Sequence, residues 1–306
     1  MIAAITGANG FIGQHLVSRF RATGWTVRPI IRRDFANGRI GNLLERVDIV
    51  VHAAGATRAP RPSDLEKANV DLTALMLRAA TDADARRFIY VSSQAAAGPA
   101  SSLESPTTEQ DTPAPIEAYG RSKLAAEQLV RAAELEHVIV RPVSTYGPGD
   151  RDFLEMFRLA RRGIAIHPGN REHWLSLINV VDLVDGIVEC ATSPAATGKT
   201  FFLGADQPVC WRDLFRGAAA ASGTRLKVDV EIPPALVRAA GRFGDIAARV
   251  AGRAGLMTSE KIALSRPRYW VCTSDRARRE IGFAPSVDLQ AGLSAAYHWY
   301  RTAGWL

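Results

Sequence analysis

The sequence predicts a doubly wound α/β protein: a parallel sheet with helices on both faces, followed by a smaller, mostly helical substrate domain. Three observations carry this. A short apolar run, "IAAIT" (residues 2–6), stops at a glycine-rich turn and opens directly into a helical pattern. Strand-length apolar runs then alternate with amphipathic stretches as far as residue 142, the signature of βαβ units. Beyond residue 142 the alternation breaks, which sets the second domain apart.

The elements follow in order. Residues 2–6 read as a buried strand, and "FIGQHLVSRFRATG" has apolar residues at helical spacing with a glycine stop at Gly24. "TVRPII" (26–31) and "VDIVVHAAG" (47–55) are strands. Residues 63–80 form a helix, with Ser63 at the N-cap and Glu66 at the capping-box position. "RRFIYVSS" (86–93) is a strand, residues 117–134 a helix and "HVIVRP" (137–142) a strand. "SLINVVDLVDGIVECA" (176–191) returns to a strand-then-helix pattern. These patterns place a nucleotide-binding domain at residues 1–150, rejoined by about 176–193. A discontinuous substrate domain occupies the rest of 151–306.

The turn "TGANGFIG" spaces Gly7, Gly10 and Gly13 as G-x-x-G-x-x-G between the first strand and first helix. In that context the first glycine permits the tight turn, the second admits a pyrophosphate, and the third lets helix and strand pack closely. The open helix N-terminus then faces the phosphates. Phe11 and Ile12 belong to the same cofactor-binding turn. The end of the second strand selects the dinucleotide: a carboxylate there holds a ribose 2′-hydroxyl, a cation a 2′-phosphate. Here Arg32 and Arg33 come first and Asp34 late, favouring NADP over NAD.

"EAYGRSK" puts Tyr119 and Lys123 four apart, on one face of a helix, in a chain with 38 basic residues of which few are lysines. A tyrosine is a poor acid–base at neutral pH, and a lysine cation one turn away favours the tyrosinate. Ser92 and Ser93 end a strand at the edge where parallel sheets bind ligands, and can hydrogen-bond a substrate oxygen.

With these motifs in order, the chain resembles the extended short-chain dehydrogenases/reductases, the NAD(P)-dependent epimerase/dehydratase type. The likeness rests on "TGANGFIG", "VDIVVHAAG", "RFIYVSSQAAAG", "YGRSK" and "VRPVSTYGPGD" and runs through essentially the whole chain. The resemblance implies a Rossmann sheet and an NAD(P)-dependent enzyme. It implies Tyr119 as acid–base, Lys123 as its partner and ribose ligand, and Ser93 rather than Ser92 as the substrate-orienting hydroxyl. Ala53, Ala54, Pro142 and Val143 border the cofactor by the same likeness, and Asn69 matches a helix asparagine with a structural or relay role. Thr57, Gln94 and Ser144 are expected to face the substrate. The resemblance also implies a homodimer.

Departures from the family pattern narrow the reaction. Gln94 and Ala95 stand where sugar dehydratases carry Asp-Glu, so water elimination is disfavoured. Ser144 replaces an asparagine, and Leu175 an arginine, that sugar-nucleotide enzymes use; Arg171 lies nearby in sequence. The expected activity is hydride transfer between NADP and a carbonyl or secondary alcohol. A nucleotide-sugar 4-epimerase or 4-ketosugar reductase is the alternative, and a non-catalytic cofactor sensor a third. Only fourteen residues separate Arg33 from Asp48, too few for the family's third strand, so that strand is expected to be shortened or lost, with Asn42 nearest its place.

The net charge of +7 comes from scattered arginines without a basic block, so no nucleic-acid partner is expected. Cys190, Cys210 and Cys272 lack metal spacing and no histidine pair has it, so no metal is expected. His15 and His52 read as packing residues, while His167 and His173 flank a loop bordering substrate or surface. "MIAAITGANG" has no charged n-region and no apolar run reaches membrane-span length, which points to a cytoplasmic protein binding a small molecule. In residues 234–256, Leu236, Ala240, Phe243, Ala247 and Val250 share a stripe, with Arg238, Arg242, Arg249 and Arg253 mostly away from it. The plain reading is a packed stripe under a solvated basic face; a membrane-surface or apolar-substrate lid is the alternative.

Overall fold

The computed structural model describes residues 1–251 and 266–306, the side chains of 242 and 245–251 excepted. The first half runs β1 (Ile2–Thr6), α1 (Phe11–Ala22), β2 (Thr26–Ile30), α2 (Arg32–Ala36), α3 (Ile40–Leu44) and β3 (Ile49–His52). It continues through α4 (Pro62–Glu66), a π-helical turn (Lys67–Asp71), α5 (Leu72–Asp82), β4 (Arg87–Val91), α6 (Ala118–Ala132) and β5 (Glu136–Pro142). Next come β6 (Ser144–Tyr146), α7 (Leu154–Ala160), β7 (Ile164–Pro168), β8 (Trp174–Leu175), β9 (Leu177–Asn179), α8 (Val180–Thr192) and β10 (Lys199–Leu203). Last are β11 (Val209–Cys210), α9 (Trp211–Ala221), β12 (Val228–Ile232), α10 (Pro234–Ala251), β13 (Tyr269–Trp270), α11 (Asp275–Ile281) and α12 (Leu289–Thr302).

The central sheet has six strands in the order β10-β5-β4-β3-β1-β2. Every pairing in it is parallel, as βαβ connections require. Its strands are apolar on both sides because helices cover both faces. Ile5, Val51, Ile89 and Val140 face α1 and α8 through Leu16, Phe20, Leu183 and Ile187. The alternate residues Ala4, Val50, Phe88 and Ile139 pack against α5 and α6 through Met76, Leu77, Ala126 and Val130. The chain leaves β1 for β2 on one side and then crosses to β3 on the other. That reversal opens a crevice at the carboxyl ends of β1 and β3, the binding point of open α/β sheets.

Between Ile30 and Ile49 the chain forms only the short helices α2 and α3, so β2 is the sheet edge and the strand expected from length to be shortened or lost is absent. The helix expected at 63–80 differs in detail. It starts at Pro62, with Arg61 as an N-cap that makes no side-chain hydrogen bond, so Ser63 is not the cap. Proline's fixed φ pre-sets the first turn there. One extra residue then widens the helix into a π turn at Lys67–Asp71. His167 and His173 are both buried rather than at the surface, His167 2.9 Å from Asp229 and His173 3.0 Å from the Pro267 carbonyl.

The C-terminal part is helical, with Phe157, Leu214, Phe215, Ala218, Leu293 and Tyr300 of α7, α9 and α12 in one core. The packed stripe expected on α10 is turned outward. Leu236 and Phe243 are 61% and 73% exposed, whereas the neighbouring Val237 is 4% exposed and faces the body. Arg238 is exposed as expected; the side chains of Arg242, Ala247, Arg249, Val250 and Arg253 lie outside the described residues.

Candidate active site

At the crevice, Gly7 adopts φ +69°, and a Cβ there would come within 2.8 Å of the Ala53 carbonyl oxygen. A Cβ on Gly13 would fall 2.0 Å from the Gly7 carbonyl oxygen, so α1 can lie this close to the turn only with glycine. Gly10 caps α1 with backbone alone, and the first turn carries no acidic side chain. Its N–H groups and positive dipole end therefore stand open to an anion. Ala53 and Ala54 form the facing wall, the Ala54 N–H bonded to Thr6 Oγ1 at 3.0 Å. Phe11 and Ile12 are half-buried and pack onto the sheet core. Pro142 and Val143 are buried beside β10, the Val143 N–H bonded to the Leu203 carbonyl. Together these residues make a cradle whose shape and donor set fit a dinucleotide pyrophosphate.

Arg32 and Arg33 begin α2 at the end of the edge strand, both exposed and without an ion pair among the described residues. Asp34 is committed elsewhere: its Oδ2 accepts the Ile31 N–H at 2.8 Å, capping α2.

Glu117 caps α6, its carboxylate accepting from the N–H groups of Tyr119 and Gly120 at 2.5 and 2.6 Å. This anchors the helix that carries Tyr119 and Lys123. Tyr119 and Ser93 stand across the gap between α6 and the end of β4, near enough for the serine hydroxyl to act on the phenol. Ser93 Oγ accepts the Ala95 N–H at 3.2 Å. Lys123, 4% exposed, donates to the Val91 carbonyl at 2.7 Å and stands 4.3 Å over the Tyr90 ring.

The electrostatics differ from the simple expectation. Burial pushes the Tyr119 hydroxyl up to about 12, with the Ser93 hydrogen bond opposing and Glu117 adding to the rise. Burial likewise brings the Lys123 ammonium down to about 7, opposed by Glu127. The expected lowering of Tyr119 by Lys123 is not what dominates here. Desolvation is the largest cause for both groups: Lys123 is buried with its amine tied to a backbone carbonyl, and Tyr119 is half-buried beside it.

The remaining expected residues separate. Asn69, in the π turn, is spent on structure: it pairs with both backbone groups of Ala56 and donates to Ser122 Oγ at 2.8 Å. Its Oδ1 would lie 2.6 Å from a Cβ on Gly55, so it fills the place beside that residue. Gln94 is 4% exposed, and its Nε2 has no hydrogen-bond partner among the described residues. Thr57 is exposed on the loop after β3, and Ser144 is half-buried in β6. Arg171 is engaged by Glu231 at 3.4 Å.

Sequence reading missed a buried ion-pair network behind the centre. Glu127 accepts two hydrogen bonds from Arg141, at 2.9 and 2.8 Å, and one from Ser92 Oγ at 2.6 Å. Its signals were present: Glu127 continues the Tyr119–Lys123 helical face, and Arg141 interrupts an apolar strand. Also missed was a cavity of about 360 Å³ lined by Trp174, Cys210, Arg212, Arg216, Arg268 and Tyr269. Its wall is assembled from distant segments. The Ala100 N–H, seven residues after Ser93, bonds to the Tyr269 carbonyl at 2.9 Å. Arg58 reaches from the β3 loop to Asp152, a contact with no sequence signature.

Comparison with known proteins places this geometry. The model of the NAD dependent epimerase/dehydratase family matches residues 3–204. The chain is 28% identical over 323 residues to a ceramide reductase of Caulobacter vibrioides, covering 100% of this chain and 96% of that protein. It is 28% identical over 244 residues to a UDP-glucose 4-epimerase of Vibrio cholerae, covering 71% of this chain and 74% of that one. Among solved structures, MoeE5 in complex with UDP-glucuronic acid and NAD shares the fold, with a TM-score of 0.79, 24% identity and coverage of 99% of this chain and 100% of that chain.

Proposed function

The chain belongs to the NAD dependent epimerase/dehydratase family, and we propose that within it the protein is an NADP-dependent reductase of a carbonyl to a secondary alcohol. The observation that carries this reading is the convergence of Tyr119, the buried Lys123 one turn on and Ser93 at the end of β4, with burial raising the Tyr119 hydroxyl. Carbonyl reduction needs an acid at the start, and a phenol kept protonated by burial is one. When bound, the nicotinamide supplies the hydride to the carbonyl carbon. The chain's own residues handle the oxygen: Ser93 orients it through its hydroxyl, and the Tyr119 hydroxyl gives it a proton. Lys123 stands one turn from Tyr119, and its ammonium form favours the tyrosinate left behind. Gln94 Nε2, buried without a partner, is a further donor for the substrate.

NADP is preferred over NAD because the two unpaired arginines follow β2 and Asp34 is spent on the Ile31 amide. The name of the ceramide reductase, a relative matched over nearly its full length, agrees with a reductase acting on a lipid.

A second reading, a nucleotide-sugar 4-epimerase or 4-ketosugar reductase, is favoured by the cavity. Arg212, Arg216 and Arg268 stand there beside Trp174 and Tyr269, cations and flat rings that suit a nucleotide. Purified protein assayed with NADPH against lipid ketones, small ketones and nucleotide sugars separates the two. Net NADPH oxidation by a ketone supports the first, and isomerisation of a nucleotide sugar without net cofactor use replaces it. Tyr119→Phe is expected to lower kcat by at least about a hundredfold with NADPH affinity retained. A Phe variant with wild-type turnover would exclude Tyr119 as the acid.

A further inference from the structure

We propose that the β7–β12 ribbon and the outer stripe of α10 form a docking face for an anionic phospholipid bilayer. The two strands pair in parallel, with Val228 opposite Ile164, Val230 opposite Ile166 and Ile232 opposite Pro168. Paired residues point to the same side and side chains alternate, so these six apolar residues share one face. None of the six is buried, and Val228 and Val230 are 45% and 46% exposed. The opposite face carries the buried Ala165 and His167 and the acids Asp229 and Glu231, engaged by His167 and Arg171. A polar inner side and an apolar outer side invert the usual arrangement of a surface ribbon.

The inversion continues into α10, which starts two residues after Ile232. Leu236, Ala240 and Phe243 lie at i, i+4 and i+7 and all face solvent. Of the nine large apolar side chains left exposed among the described residues, four fall between 228 and 243, a concentration in one stretch of chain.

Charge identifies the occupant. Arg161 and Arg162 lead into β7, and Arg225 and Lys227 into β12, all four exposed. These lead-in segments are held together by hydrogen bonds from the Lys227 and Val228 N–H groups to the Gly163 carbonyl, at 2.7 and 3.0 Å. None of the four cations has an ion pair among the described residues. An apolar stripe with exposed cations at one end fits a bilayer surface bearing anionic headgroups, where each cation adds attraction. A second copy is the poorer occupant: an isologous contact would bring two such cation sets together on a chain that carries +7. No helix among the described residues is long and apolar enough to cross a membrane, so the face would lie on the bilayer. The loop from β7, residues 169–174, runs straight into the cavity wall at Trp174, so docking here sets the cavity close to the lipid.

The test is co-sedimentation of the full chain with vesicles of phosphatidylcholine alone and with about one third phosphatidylglycerol. Expected is binding to the anionic vesicles only, weakened by high salt. Leu236→Ser with Phe243→Ser should reduce it several-fold. Neutralising Arg161, Arg162, Arg225 and Lys227 to glutamine should reduce it by about a hundredfold. Both variants should melt like the wild type, because the altered side chains touch solvent. Wild-type protein left in the supernatant with anionic vesicles overturns the proposal, as does undiminished binding by either variant. If the Leu236/Phe243 variant instead converts a dimer to a monomer in sedimentation velocity, the face belongs to a second copy and the proposal fails.

Discussion

Replacing Lys123 with methionine should make the cofactor-free protein more stable at neutral pH while abolishing turnover. Methionine keeps the length and apolar stem but removes the ammonium. Burial brings the lysine from 10.5 to about 7, so its folded value lies below its unfolded one. Between those values the unfolded chain binds more protons, and stability therefore rises with pH across that window. At 1.36 kcal/mol per unit, the charge disfavours folding by roughly 4 kcal/mol at pH 7 but only about 2 kcal/mol near pH 9. Against this, the variant loses the 2.7 Å bond to the Val91 carbonyl and the contact over Tyr90. Those together stabilise the wild type by about 2 kcal/mol. The net gain is about 2 kcal/mol at pH 7, a melting point about 3 °C higher, and close to zero near pH 9. Thermal unfolding followed by circular dichroism at the two pH values measures it, since all other titrating groups are common to both proteins. A variant that melts below wild type at pH 7, or a gap that does not narrow with pH, would refute the reasoning. Activity should fall by about a hundredfold or more.

Three further outcomes follow from the same geometry. Arg32→Gln with Arg33→Gln should weaken NADPH binding about tenfold and leave NADH binding unchanged, read by fluorescence titration; equal losses for both would remove the 2′-phosphate assignment. Gly13→Ala forces a Cβ to within 2.0 Å of the Gly7 oxygen. It should lose cofactor binding and about 2 kcal/mol of stability in denaturant titration. Glu127→Gln leaves the guanidinium of Arg141, 2% exposed, without its counter-charge and should cost about 3–5 kcal/mol. Adding Arg141→Met should restore much of that loss, because the orphaned charge is then gone.

Most of the N-terminal architecture was legible because its signals are local. Strand-length apolar runs, the G-x-x-G-x-x-G turn and the short spacing between Arg33 and Asp48 are read within one βα unit at a time. The missing third strand follows from a residue count. What could not be read depends on distant partners. The inward or outward facing of the α10 stripe is decided by what the rest of the fold leaves beside it, not by its period. His167 and His173 have no local mark of burial; Asp229 and Pro267, far along the chain, make it. The cavity joins residues 103, 174, 210 and 269, which no single motif spans.

The sequence by itself determined the doubly wound sheet, the glycine cradle at its switch point and the placing of Tyr119 and Lys123 on one helix face. These follow from period, spacing and glycine's freedom, all properties of neighbouring residues. The tertiary structure decided the electrical state of that pair. A helical spacing of four says that the two side chains are near each other, but not whether water reaches them. Packing α6 on the sheet buries the lysine and half-buries the tyrosine, and that desolvation raises the Tyr119 hydroxyl and lowers the Lys123 ammonium to about 7.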